Sequence, residues 1–256
     1  MIPKRMSSLN GLTICPGLHA MRAASDDTSG KAAQTGSAVG RMIELWHRGT
    51  LPGDLHLAVE AQAASEWPLA DLDTARGWLT AYLADPRNWD DSEHGEVIPE
   101  SLEQEVVYNL PCDESDPTGE PIRLVGHMDQ VRRSPGGLKV WDVKSGRPSG
   151  TEMIAAHAWQ LAAYALGATA LYGEPVLPGG IIRLRGYDSK RTKPPKNVFY
   201  QTPWTLDQCR DMLGSPAYLI AMLRRGEVLS LPGASCVWCP GGGPHLCGSK
   251  IADAYP

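Results

Sequence analysis

"KVWDVKSG", residues 139–146, decides how this chain is read. Its apolar run ends in Asp142 and Lys144, two residues apart, and alternation along a strand sends such a pair to one face of a sheet. An isolated acid–x–lysine at a strand end is most often a plain ion pair. Here another acid, Asp129 in "GHMD" (126–129), precedes it across a "SPGG" turn. If strands over 122–132 and 138–143 pair through that turn, both carboxylates approach one point. Two converging carboxylates repel unless a cation sits between them, and hard divalent ions such as Mg²⁺ or Mn²⁺ prefer such oxygen ligands. A lysine beside the ion can orient or deprotonate an attacking water. A Lewis acid, an activated water and a positive charge are what phosphodiester hydrolysis needs.

The rest of the chain supplies a fold for that pair. Residues 36–48 carry Val39, Met42, Ile43 and Trp46 at helical spacing, and a second helical region covers about 68–84. Strand patterns follow over 102–110, 122–133 and 138–146, then a helix over about 152–171 and a strand over 179–186. A late helix opens at "WTLDQCRDML", with Thr205 and Gln208 in capping-box positions. The order is helix, three strands, helix, strand: a hairpin feeding a helix that returns to the sheet, hence a mixed α/β layer. At 256 residues, 42% of them hydrophobic, the chain suits one large domain, 1–256. "MIPKRMSSLNGLTICPG" has no apolar leader core, so a cytoplasmic protein is expected. The alanine-rich stretch 153–172 holds His157 and Gln160 near its middle, which reads as a buried helix and not a membrane span. A net charge of −5 gives no global affinity for nucleic acid, so any basic surface must be local.

On the helix after Lys144, Met153, His157, Gln160 and Tyr164 share one stripe, leaving a polar Gln–Tyr pair on an element otherwise suited to burial. The pair can equally satisfy itself at a helix edge. Taken together, "GHMD", "DVK" (142–144) and "QLAAY" (160–164) resemble the PD-(D/E)xK nucleases, in particular the RecB-like branch with its G-x-x-D, D-x-K and Q-x-x-x-Y series. The resemblance covers about residues 36–186 and implies an αβββαβ restriction-endonuclease-like core with a helical insertion. It implies Asp129 and Asp142 as ligands of Mg²⁺ or Mn²⁺, the Val143 carbonyl as a further ligand, and Lys144 as the group acting on water. Gln160 and Tyr164 are implied to face DNA. One departure stands out. The branch usually carries G-x-x-x-H in its first helix, with the histidine on the metal, whereas this chain reads "GSAVG" with Gly40 in that place. Glu44, one turn on, is the expected substitute, and His47 is a weaker candidate.

Six cysteines without a secretory leader argue against a disulfide scaffold. Cys112 and Cys209 stand alone and read as inert thiols. Cys236, Cys239 and Cys247 crowd "CVWCPGGGPHLC", where thiolate density suits zinc or an iron–sulphur cluster. Cys15 supplies a fourth thiolate if the chain ends meet, and His245 is the alternative in a zinc site. One N-terminal cysteine with a C-terminal trio is similar to the iron–sulphur nucleases of the same branch, the AddB type and the CRISPR-associated adaptation nucleases. That similarity implies a [4Fe–4S] cluster on Cys15, Cys236, Cys239 and Cys247, joining the termini.

Arg183, Arg185, Lys190, Arg191 and Lys193 concentrate positive charge in "RLRGYDSKRTKPPK" (183–196), with Tyr187 able to stack on a base. A solvated loop has the same composition. Arg132, Arg133 and Lys139 around the hairpin are read with the same reserve. The expectation is a metal-dependent exonuclease acting on single-stranded DNA or free DNA ends. The alternatives are a catalytically inactive DNA-binding module on the same fold, and a zinc-stapled interaction protein.

Overall fold

The structure is a computed structural model that describes residues 5–9, 30–49, 66–89, 91–145, 151–185 and 196–227. Helix α1 (Lys31–His47) buries Ala38, Val39, Met42 and Ile43 along one stripe. Helix α2 (Leu72–Leu83) starts at Asp71, whose carboxylate accepts the Thr74 N–H at 3.1 Å and pairs with Lys31 at 3.0 Å. The same acid therefore caps one helix and tethers the start of the other. Ala75, Leu79 and Tyr82 of α2 close over the α1 stripe.

Seven strands follow among the described residues: β1 (Glu96–Val97), β2 (Gln104–Leu110), β3 (Ile122–Met128), β4 (Gln130–Ser134), β5 (Gly137–Ser145), β6 (Val176–Leu184) and β7 (Val198–Gln201). The expected single strand over 122–133 is two strands in two sheets. β3 pairs antiparallel with β2, whereas β4 joins a five-stranded sheet of order β1-β4-β5-β6-β7. The chain changes sheet at Asp129. β1 and β7 are too short for a periodicity to announce them. β4 and β5 form the expected hairpin, and β6 runs parallel to β5. Parallel neighbours need a crossover, which helix α3 (Thr151–Tyr172) provides. This is the mixed α/β sheet that the element order predicts.

Alternation on β5 divides the core in two. Leu138 and Val140 face α3 and helix α4 (Leu206–Arg224), while Trp141 faces α1 and α2. Helix α3 buries Leu161, Ala162, Ala163, Ala165, Leu166 and Ala168. Its alanines let it lie close to the sheet, and α4 covers its outer side. Thr205 and Gln208 form the capping box of α4, as their spacing predicts. Among the described residues no helix is long and apolar enough to cross a membrane.

A buried polar knot ties α1 and α2 to the sheet. Arg132 is fully buried, and its guanidinium donates to Gln130 Oε1 at 2.9 Å, Arg87 O at 2.7 Å and Asn88 O. Burial lowers its pKa to about 10, so it stays charged. Tyr82 donates its hydroxyl proton to Asn88 O at 3.0 Å, which leaves His47 Nε2–H to donate to the Tyr82 oxygen at 2.7 Å. Burial, and next the charge of Arg132, lower the His47 pKa from 6.5 to about 4. The unfolded imidazole protonates near 6.5, so between that pH and about 4 the unfolded chain binds the extra proton. Stability contributed by neutral His47 is thus complete above that window and is lost as pH falls through it. Thermal unfolding of His47→Gln between pH 4 and 7.5 should depend less on pH than the parent; parallel curves would remove His47 from this role.

Candidate active site

β5 carries Asp142 and Lys144 to the face covered by α3. Asp142 is 1% exposed. Lys144 Nζ lies 2.8 Å from both of its carboxylate oxygens but donates its hydrogen bond to Oδ1. Asp142 Oδ2 is buried against that ammonium. Gln160 Nε2 approaches Oδ1 at 3.5 Å and donates to the Tyr164 hydroxyl at 2.9 Å. The amide therefore links the acid to the tyrosine, and His157 Nδ1 stands 3.2 Å from Gln160 Oε1.

Asp129 arrives from the other strand. The β4–β5 register pairs Gln130 with Trp141, so Asp129 and Asp142 would be the next pair. The backbone turns away there, and the Asp129 carboxylate accepts the Val143 N–H in place of a ladder carbonyl. Two acids are thereby fixed side by side. Burial first, and then the Asp142 charge, push the Asp129 pKa well above the carboxylate range. Lys144 shows the opposite balance: burial works against its charge, but Asp142 and Asp129 outweigh it and hold the ammonium protonated. The all-oxygen donor set fits a hard divalent cation, which would relieve the repulsion between the two acids.

A cavity of about 670 Å³ opens beside these groups, lined among others by Gly40, Glu44, Glu103, Asp129, Val143 and Lys144. Glu44 is buried, but Arg41 pairs with its Oε2 and Arg48 with its Oε1 at 3.0 Å. Both oxygens of the expected substitute ligand are thus committed. Glu103 is the acid that sequence reasoning missed, because at the head of a strand pattern it looks like any solvated residue. Burial, and next the charge of Glu44, raise its pKa. The only hint in the sequence was the vacancy at Gly40.

Gln160 and Tyr164, at 3% and 4% exposed, are packed between α3 and the sheets. The Tyr164 ring also borders a second groove, of about 880 Å³, together with Arg5, Arg123, His127 and Arg224. Gly126 explains how the ring fits: a Cβ there would lie 2.5 Å from Tyr164 Cε1. The glycine of "GHMD" thus leaves room for the Tyr164 ring against β3 just ahead of Asp129.

The basic candidates fare unevenly. Arg183 is paired in register with Lys144, and Arg185 is exposed, its backbone N–H donating to Asn197 Oδ1 at 2.9 Å. Lys190, Arg191, Lys193 and Tyr187 lie outside the described residues, as do Cys15, Cys236, Cys239, Cys247 and His245. Arg132 is corrected from a surface candidate to a fully buried strut. Arg133 is exposed, 3.5 Å from Glu174. Cys209 is buried, and burial raises its thiol pKa to about 11, in keeping with an inert role. Asp91, Glu93 and His94 also cluster closely enough to hold an ion. His94 Nδ1 bonds Asp91, and its Nε2 faces the Gln201 amide at 3.3 Å, so both ring nitrogens already have partners.

Two acids meet at a strand junction, with a lysine two residues on and a Gln–Tyr helix behind them. The family model of the PD-(D/E)XK nuclease superfamily matches residues 6–242, and the chain belongs to that superfamily. Membership implies a metal-dependent nuclease with DNA as its substrate. The crystal structure of SSO0001 is similar over 93% of each chain, with 14% identity and a TM-score of 0.37. No curated protein matches the chain in sequence.

Gly126→Ala should cost roughly 1–3 kcal/mol through overpacking against Tyr164. The same change in a Tyr164→Ala background should cost much less, since the clash is gone. Additive losses in denaturant melts would show that the ring does not set this glycine.

Proposed function

We propose that the protein is an exonuclease of the RecB-like branch, acting on single-stranded DNA or free DNA ends. The observation that carries this is the junction itself: Asp129, Val143 and Lys144 line one cavity wall, and Asp142 is buried against Lys144. A cavity of about 670 Å³ is in the range that holds one drug-sized ligand, near the bulk of a nucleotide and far below that of a duplex. That favours a strand end threaded in over an uninterrupted duplex. Asp129, Asp142 and the Val143 carbonyl would hold Mg²⁺ or Mn²⁺. The ion supplies Lewis acidity at the phosphoryl oxygen and lowers the pKa of water. Lys144, kept protonated by its acids, orients the attacking water and offsets charge on the phosphate. Gln160 holds Asp142 in place and links it to Tyr164, whose edge borders the groove with Arg123 and His127. Arg183 and Arg185, with Lys190, Arg191 and Lys193 beyond them, would meet the DNA backbone.

We also propose a [4Fe–4S] cluster on Cys15, Cys236, Cys239 and Cys247, in a reducing, cytoplasmic setting. The sequence pattern supports it, and so does the placement of the flanking chain. Arg5 and Ser7, ahead of Cys15, line the same groove as Arg224, ahead of Cys236. Anaerobically purified Cys15→Ala and Cys247→Ala should lose iron and melt at lower temperature, whereas Cys112→Ala and Cys209→Ala should keep their iron. Iron retained in Cys15→Ala would point to His245 or an external ligand.

End-labelled linear DNA should be degraded with Mn²⁺, while covalently closed plasmid persists. Asp142→Ala should lower cleavage by roughly 10²–10³-fold or more, with the fold intact by circular dichroism. Lys144→Ala should slow single-turnover cleavage more than it weakens DNA binding. Nicking of closed plasmid would make the enzyme an endonuclease. An inert parent in both metals would favour the DNA-binding module.

A further inference from the structure

Glu103 immediately precedes β2 with φ +51°, the only described residue other than glycine at positive φ. Such a conformation is unfavourable for a glutamate and persists only where the surroundings impose it. Its carboxylate points at α1, where a Cβ on Gly40 would come 3.4 Å from Oε1. A β-carbon at position 40 would just touch this carboxylate, so glycine leaves that side of it clear. Among the described residues no hydrogen bond or ion pair engages Glu103, although it shares the cavity wall with Asp129, Val143 and Lys144. Glu44, one helical turn from Gly40, has both oxygens on arginines instead. One acid of the pocket is neutralised by the protein, and its neighbour is left open.

We propose that Glu103 is a ligand of the divalent metal, reaching from the β2 side into space that Gly40 leaves empty on α1. This rests on the metal-dependent reading of Asp129 and Asp142. Glu103 completes an oxygen-only site with those two acids and the Val143 carbonyl, and Glu44 serves as an anchor for Arg41 and Arg48. Gly40, in the middle of a helix that glycine otherwise weakens, keeps the α1 side of the carboxylate clear. Metal ligation also gives a reason for positive φ at a residue that no described group hydrogen-bonds or ion-pairs.

Calorimetric titration of Mn²⁺ into the full-length, DNA-free protein separates this inference from the reading beneath it. Glu103→Gln keeps the shape and removes the charge. It should weaken Mn²⁺ binding at least about tenfold, the loss seen even when only a group supporting a ligand is removed. Asp142→Asn should weaken it as well. If Asp142→Asn weakens binding and Glu103→Gln does not, Glu103 is no ligand and the reading of Asp142 stands. If neither variant changes the titration, the metal site and the Glu103 assignment fall together. Glu103→Gly gives a second readout, because glycine accepts positive φ. The metal-free melting temperature should hold or rise, and the rise caused by Mn²⁺ should shrink. A full Mn²⁺-induced rise in that variant would overturn the proposal.

Discussion

The hydrogen bond from the Val143 N–H to the Asp129 carboxylate is the constraint on which the site depends. It forms where β4 ends its ladder with β5 and the preceding backbone belongs to the other sheet. A side-chain oxygen takes over a backbone donor that would otherwise be left unpaired beside a buried strand. That substitution fixes Asp129 next to Asp142, and burial with mutual repulsion then raises the Asp129 pKa. The fold thus builds an electrostatic deficit into the seam between its sheets. Lys144 offsets part of it, and a divalent cation would offset the rest.

Behind the seam, α3 reconciles two demands that conflict on a single helix. Its alanines and leucines must fill the core, while Gln160 and Tyr164 must hold a polar chain running from Asp142. Burying the Gln–Tyr pair is tolerable because each group finds the other. The close fit comes from removing bulk across from it, at Gly126. A packing decision on β3 therefore sets the position of a polar group on α3, and through it the orientation of an acid on β5.

Charge is distributed around the cavity with the same selectivity. Arg41 and Arg48 neutralise Glu44, and Arg132 is spent inside the α1–α2 knot, held by backbone carbonyls. Lysine and arginine counts in the sequence cannot distinguish these roles, since a guanidinium serves equally well as a buried strut or as a phosphate contact. Of the described acids lining the cavity, Glu44 is the one paired with arginine, and Asp129 and Glu103 are not.

The sequence by itself determined the helix–strands–helix–strand order of the core, the hairpin, the common face of Asp142 and Lys144, and the Gln160–Tyr164 stripe. Each follows from a period of two or 3.6 residues that neighbouring side chains report. The capping box at Thr205 is local chemistry in the same sense. Only the tertiary structure decided that the run from 122 to 133 serves two sheets, because pairing partners are set by distant strands and not by the run's own alternation. The burial of Arg132, the commitment of Glu44 and the approach of Glu103 to Gly40 belong with it. The first and last are contacts between segments far apart in the chain, and periodicity carries no information about what lies opposite a face; the arginines on Glu44 stand three and four residues away on its own helix, and what the fold adds there is burial.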